Sequence, residues 1–89
     1  MHGVYVLQSR ADGNLYIGYS RDIKHRLEQH NAEKVSATRK RVPFVLIYCE
    51  LFCNQADAMR RELYLKTGWG RKYLTRTLIE TFKKKNLGG

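Results

Sequence analysis

"GVYVLQSRADGNLYIGYS", Gly3 to Ser20, decides the fold. Two apolar runs flank Asp12-Gly13, the strongest short-range signal for a β-hairpin, so Gly3 to Ser9 and Leu15 to Ser20 are predicted as two antiparallel strands. A two-residue turn at Asp12-Gly13 places Tyr16 opposite Ser9. Side chains alternate between faces with period two, which puts Tyr5, Tyr16 and Gly18 on one face. A four-residue turn keeps that parity and an odd one breaks it. Gly18 removes a side chain from the face and opens space for a close approach. Ordinary strand tyrosines beside a bulge glycine would read the same way, so the hairpin alone leaves both readings open.

Outward from the hairpin, Ser20 is placed to cap a helix over about Arg21 to Glu33, with Asp22 in its first turn. Asn31 to Val42 is a polar, basic loop, and Pro43 to Phe52 is a third strand rich in β-formers, with Pro43 at its start where no ladder donor is lost. Asn54 is expected to cap a second helix, with Asp57 three residues on and Gly68 as its stop. Leu74, Leu78 and Phe82 repeat at helical spacing within a last segment from Arg71 to about Lys85. The order is ββαβαα, an α/β (α+β) sandwich over one domain, 1–89, with a basic tail at 83–89 expected to fray.

Composition restricts the function. A chain of 89 residues, 43% hydrophobic and 28% charged, buries a modest core and has no room for a second domain. The longest apolar stretch, Val42 to Cys49, falls well short of the roughly 18 residues of a membrane span, and no basic start precedes an apolar run at the N-terminus. A soluble, cytoplasmic protein is the expectation. Cys49 and Cys53, on a strand running into a helix, lie too far apart to bridge and are expected as free thiols. With His25 and His30 upstream they match no closed zinc-site spacing.

Seventeen Lys and Arg against eight Asp and Glu give a net charge of +9, which selects polyanions as partners. The charge is uneven. Nine basic residues and two acids lie from Arg60 onward, and Lys34, Arg39, Lys40 and Arg41 add four more with no acid among them. These four, with Arg71 and Lys72, are the candidate nucleic-acid-binding residues.

On the first helix Arg26 and His30 are four apart and share a face beside an Ile23/Leu27 stripe, which sets a phosphate-matching guanidinium next to a group that titrates near neutrality. On the second helix Glu62 lies beside Ala58, Met59 and Leu63 at the border of an apolar face, on a helix that also carries Arg60, Arg61 and Lys66. An i,i+4 pair with Lys66 is its structural explanation. A carboxylate beside a phosphate-binding surface also suits a divalent cation held between the two, and hard oxygen ligands favour Mg²⁺ or Mn²⁺.

"GVY" at 3–5, "YIG" at 16–18, "RDIKHRLEQH" with Arg26 and His30, and "AMRRE" ending in Glu62 occur in the order of the GIY-YIG nuclease domain, which the chain resembles over nearly its whole length. It is most similar to the small stand-alone bacterial members. The resemblance implies a three-stranded antiparallel sheet carrying both tyrosines in a shallow site against the helices. It also implies a metal-dependent DNA endonuclease acting on duplex or branched DNA in repair or processing, with RNA not excluded. Tyr5 and Tyr16 would position or activate the attacking water, with Tyr16 as proton acceptor or relay. Arg26 would stabilise the phosphate, His30 would assist proton transfer or phosphate contact, and Glu62 would bind one divalent metal.

Such hydrolysis needs an activated water, cationic stabilisation of the pentavalent oxyanion and a neutralised leaving oxygen. Three positions depart from the family pattern. Val4 replaces the name-giving isoleucine and keeps a β-branched apolar side chain, and Tyr19 follows "YIG" where many repair members carry lysine. The asparagine that many members place after the metal-binding helix has no counterpart in Thr67 to Leu74. That last departure supports an alternative, a non-catalytic nucleic-acid-binding module with the same fold.

Overall fold

The computed structural model describes residues 1–88, with side chains as far as Lys83. Most of the tail expected to fray, 84–89, lies outside the described side chains. The elements are β1 (His2–Ser9), β2 (Leu15–Ser20), α1 (Ile23–Asn31), β3 (Phe44–Phe52), α2 (Gln55–Leu65), α3 (Gly68–Thr77) and α4 (Ile79–Gly88). The three strands form one antiparallel sheet in the order β2-β1-β3.

The hairpin closes through a longer loop than the two-residue turn expected. Ser9 faces Asn14 across Arg10–Gly13, Gly13 takes a positive φ of 76°, and the register pairs Tyr5 with Gly18 and Leu7 with Tyr16. Tyr16 is therefore opposite Leu7 rather than Ser9. The even loop keeps the parity, so both tyrosines still share a face.

β1 is buried along nearly its whole length because helices cover both sides of the sheet. Val4, Val6 and Ile17 face α2 and α3 with Ala58, Leu65 and Leu74, while Tyr5, Leu7 and Phe44 pack on the other face with Tyr16, Ile23 and Leu27 of α1. A bulge in the β1/β3 ladder between Val6 and Leu7 separates the two roles of β3. Beyond it Phe44 joins the tyrosine face, whereas Tyr48 and Glu50, opposite Val6 and Val4, face α2 and α3.

Three helix boundaries differ from expectation. Asp22, not Ser20, caps α1 by accepting from the His25 backbone N–H at 3.0 Å; Ser20 Oγ instead accepts from the Asp22 N–H, and the helix starts two residues late. Asn54 caps α2 as expected, but α2 ends at Leu65 and Gly68 opens α3, whose cap is Thr67. A Cβ at Gly70 would overlap the Leu65 backbone, so this glycine lets α3 turn closely onto α2. The last helical segment is two helices, α3 and α4, divided at Leu78. The order is thus ββαβααα.

Candidate active site

Tyr5 projects from the central strand over β2, and its phenol occupies the space that Gly18 leaves. A Cβ on Gly18 would come within 2.5 Å of the Tyr5 Cζ. The gap expected to admit a ligand is filled by the protein's own ring. Across it, the Tyr5 hydroxyl lies 2.9 Å from His30 Nε2 of α1. The rings of Tyr5, Tyr16 and His30 form one cluster, with centroids 6.4 Å apart for the tyrosines, and 5.8 Å and 5.0 Å from His30 to Tyr5 and Tyr16.

His30 is completely buried and satisfied at both nitrogens, because its Nδ1 lies 2.7 Å from Thr38 Oγ1, also completely buried. The Thr38 hydroxyl is directed at the Val35 carbonyl, 3.5 Å away. In the tautomer with the imidazole proton on Nδ1, facing Thr38 Oγ1, Nε2 is the acceptor for the Tyr5 O–H. Burial, and next the Arg26 charge, hold the His30 pKa below the ordinary histidine value. Burial likewise raises the Tyr5 pKa, against the opposing pull of the nearby Arg26 guanidinium. Both groups are neutral near pH 7, with a proton poised between them.

Arg26 is half-buried one turn before His30 and donates to Gln29 Oε1 at 3.1 Å. Glu62 enters from α2, close enough for its charge to bear on Tyr5. It sits within the covered stripe Ala58, Arg61, Glu62 and Leu65, while Met59 and Leu63, expected beside it on an apolar face, are exposed. The i,i+4 pair forms, with Lys66 Nζ 3.2 Å from Glu62 Oε2. The five expected site residues are thus brought together by β1, β2, α1 and α2. The proton relay expected at Tyr16 has its hydrogen-bonded imidazole at Tyr5. Tyr16 makes no side-chain hydrogen bond among the described residues.

Thr38 is the residue the sequence reading missed, and its loop is anchored to the site through it. Asn31 clamps the loop's ends by pairing its side-chain amide with both backbone groups of Phe44, at 2.7 and 3.0 Å, and Ser9 Oγ donates to the Arg41 carbonyl at 2.6 Å. Lys34, Arg39 and Lys40 are exposed on this pinned loop, whereas Arg41 is held by Asp12 at 2.8 Å and lies over the Phe44 ring. Arg71 and Lys72 are exposed on α3, on the other side of the sheet from α1. Cys49 and Cys53 are exposed free thiols, as expected.

A hard divalent cation accepts a single protein carboxylate when phosphate oxygens and waters complete its shell. Glu62 fits that limited role: Lys66 takes one of its oxygens, and the other has no partner among the described residues. No cluster of three His, Cys, Asp or Glu side chains lies together among the described residues, so Glu62 would hold such an ion jointly with substrate.

These features define a small α+β domain with a tyrosine-histidine-arginine-glutamate site at the sheet's β2 side. The GIY-YIG catalytic domain matches residues 1–74, and the chain belongs to the GIY-YIG family, which suggests nuclease activity and a nucleic-acid substrate; nucleases of this family generally use divalent metal ions. It is similar to a UPF0213 protein of Bacillus pumilus, 46% identical over 72 residues (80% of this chain, 71% of that one). A UPF0213 protein of Halobacterium salinarum is 42% identical over 67 residues (74% and 86%). The solution NMR structure of a UPF0213 protein from Bacillus halodurans shares the fold, with a TM-score of 0.54 and 33% identity over 85% of this chain and 83% of that one. No described helix is long and apolar enough to cross a membrane.

Proposed function

We propose that this chain is a metal-dependent endonuclease that hydrolyses phosphodiester bonds in DNA, duplex or branched, with little sequence preference. The observation that carries the reading is the buried Thr38–His30–Tyr5 chain, with Arg26 and Glu62 converging on its tyrosine end. A hydroxyl that touches only solvent has no proton sink, and Tyr5 has one.

In this reading Tyr5 takes a proton from the attacking water as its own passes to His30 Nε2, and Thr38 supports the imidazolium at Nδ1. Burial keeps the phenol protonated, so the step depends on Arg26 stabilising charge as it develops on the phenol oxygen. Tyr16, with a free hydroxyl, orients the water. The resulting hydroxide attacks phosphorus, the bond to the leaving oxygen breaks, and that oxygen takes a proton from solvent. Arg26 neutralises the equatorial oxygens of the transition state. Glu62 would hold a divalent ion, Mg²⁺ or Mn²⁺, which would supply charge neutralisation at the leaving oxygen.

The Glu62–Lys66 pair favours a second reading, a non-catalytic binding module. Plasmid nicking with Mg²⁺ or Mn²⁺, measured beside a binding isotherm, decides between them. Glu62→Gln, Arg26→Ala and Tyr5→Phe should each lower the nicking rate by ~10² or more, since each removes a transition-state interaction. Arg26→Ala should weaken binding as well. Persistent binding with no cleavage by wild type under any divalent ion, or wild-type nicking by Tyr5→Phe and Glu62→Gln, would transfer the case to the binding module.

A further inference from the structure

Trp69 is the chain's only tryptophan, and it stands 73% exposed in the first turn of α3. A side chain of this size is ordinarily among the most buried in a small domain. Lys72, one turn on, sets its ammonium 5.2 Å from the ring centroid, which covers one face. With that face covered, the remaining exposure belongs to the opposite face and the edge. Gly68 adds no obstruction, since a Cβ there would meet nothing within 4 Å.

The mount is rigid. Thr67 Oγ1 accepts from the Gly70 N–H at 3.1 Å, and Gly70 is wedged against the Leu65 backbone. The backbone beneath the ring is thus held, and the ring stacks on no other aromatic side chain among the described residues. It follows α2 closely in the chain, three positions after Lys66, which pairs with Glu62.

Charge decides what such a ring would receive. Between Thr67 and Ile79 there are three basic residues, Arg71, Lys72 and Arg76, and no acid; Lys66, just before them, is paired with Glu62. A protein partner would have to bring a dense acidic surface to this patch. An unpaired nucleotide brings both complements at once, a flat base for the open indole face and a phosphate for Lys72. We infer that Trp69 and Lys72 form a stacking site for an unpaired base, which would hold single-stranded or flapped nucleic acid at the start of α3. The inference rests on the nucleic-acid substrate of the preceding reading, and narrows it to strands that carry unpaired bases.

The sole tryptophan makes the test direct. Intrinsic emission is followed in EDTA as three probes are added: oligothymidylate of about 12 nucleotides, oligouridylate of that length, and the duplex formed by the first with its complement. Fluorescein-labelled versions report total binding by anisotropy. Emission should fall with a single strand at the same midpoint as the anisotropy rise, and should change little at equal occupancy by duplex. Quenching by both strands assigns recognition to the base alone; quenching by one supports the site and fixes the sugar.

Trp69→Ala should weaken single-strand affinity about ten-fold and duplex affinity less than about two-fold, with an unchanged far-UV spectrum. Trp69→Phe should retain most of the single-strand affinity. Unchanged emission at saturating anisotropy, equal quenching by duplex, or wild-type single-strand affinity in Trp69→Ala overturns the stacking site and leaves the nuclease reading to its cleavage assay. No anisotropy change with any probe overturns both.

Discussion

A methyl group on Gly18 would overlap the Tyr5 hydroxyl and come within 2.5 Å of Cζ, so at this position one hydrogen atom leaves room for the Tyr5 ring beside His30. Gly18→Ala should cost about 2 kcal/mol, lower the thermal midpoint by roughly 10 °C, and reduce nicking by displacing Tyr5 from His30. Replacing the phenol relieves the overlap, so adding Tyr5→Leu should recover part of the lost midpoint but none of the activity. A double variant no more stable than Gly18→Ala would place the strain elsewhere.

His30 supplies a second residue-scale prediction. Its pKa is depressed chiefly by burial, and the relay needs Nε2 unprotonated. The acid limb of nicking should therefore lie below pH ~6.5 and vanish as pH falls through the lowered pKa; a limb centred above 7 would exclude His30 as acceptor. The sequence pointed to Tyr5, Tyr16, Arg26, His30 and Glu62 as candidates; strand parity and the i,i+4 spacing fixed the faces of the first four, whereas Met59 and Leu63, expected beside Glu62 on an apolar face, are exposed. It did not show which tyrosine reaches the imidazole, since parity assigns a face and not a reach. Thr38 was invisible, a common residue in a loop with no periodicity, made functional only where the chain folds back on His30.

At the scale of elements, β3, α2 and α3 are joined by one polar knot. Arg61 of α2 donates to both Glu50 oxygens at 2.8 and 3.0 Å and lies over the Tyr64 and Tyr73 rings, while the Tyr48 hydroxyl donates to Glu50 and lies 2.9 Å from the Tyr73 hydroxyl. Burial would raise the Glu50 pKa, but the bonds from Arg61 and Tyr48 outweigh it and leave it lowered. A carboxyl whose pKa is lowered on folding stabilises the fold above its unfolded pKa and loses that contribution as pH falls through the folded one. Between pH 5 and 3 the wild-type urea midpoint should thus fall more steeply than that of Glu50→Gln, and at pH 7 that variant should be less stable by about 1–3 kcal/mol. Parallel pH profiles would show that the knot adds nothing to stability. None of this network was legible, because the bulge before Leu7 decides that Tyr48 and Glu50 face the helices, and no glycine or turn residue in β3 announces it. The break at Leu78 is equally silent: Leu74, Leu78 and Phe82 keep a helical spacing across it. The hairpin, the Asn54 cap and β3 were legible, since each has a local chemical cause in Asp-Gly, Asn or a β-branched run.

Over the whole molecule the seventeen lysines and arginines are only partly available to a ligand. Arg41, Arg61 and Lys66 are committed to Asp12, Glu50 and Glu62. Two groups stand out among the exposed cations, Lys34, Arg39 and Lys40 on the loop that Thr38 ties to His30, and Arg71, Lys72 and Arg76 on α3, while Arg10, Arg21, Lys24 and Arg60 lie outside both. A duplex lying across the candidate site would meet the first group, whereas the second requires strands that reach across the sheet. Loop contact alone neutralises about three phosphates, which predicts a slope of roughly −3 for log K against log salt on duplex DNA; engagement of both groups predicts roughly −5. Anisotropy across a salt series measures the slope. Lys34→Ala or Lys40→Ala should each reduce its magnitude by about 1 and weaken all sequences alike, because a phosphate contact carries no base information. Arg41→Ala removes a guanidinium already occupied by Asp12 and should leave the slope unchanged while loosening the hairpin loop. An affinity insensitive to salt, or a slope that drops for Arg41→Ala but not for Lys34→Ala and Lys40→Ala, would mean that nucleic acid approaches by a surface other than the pinned loop.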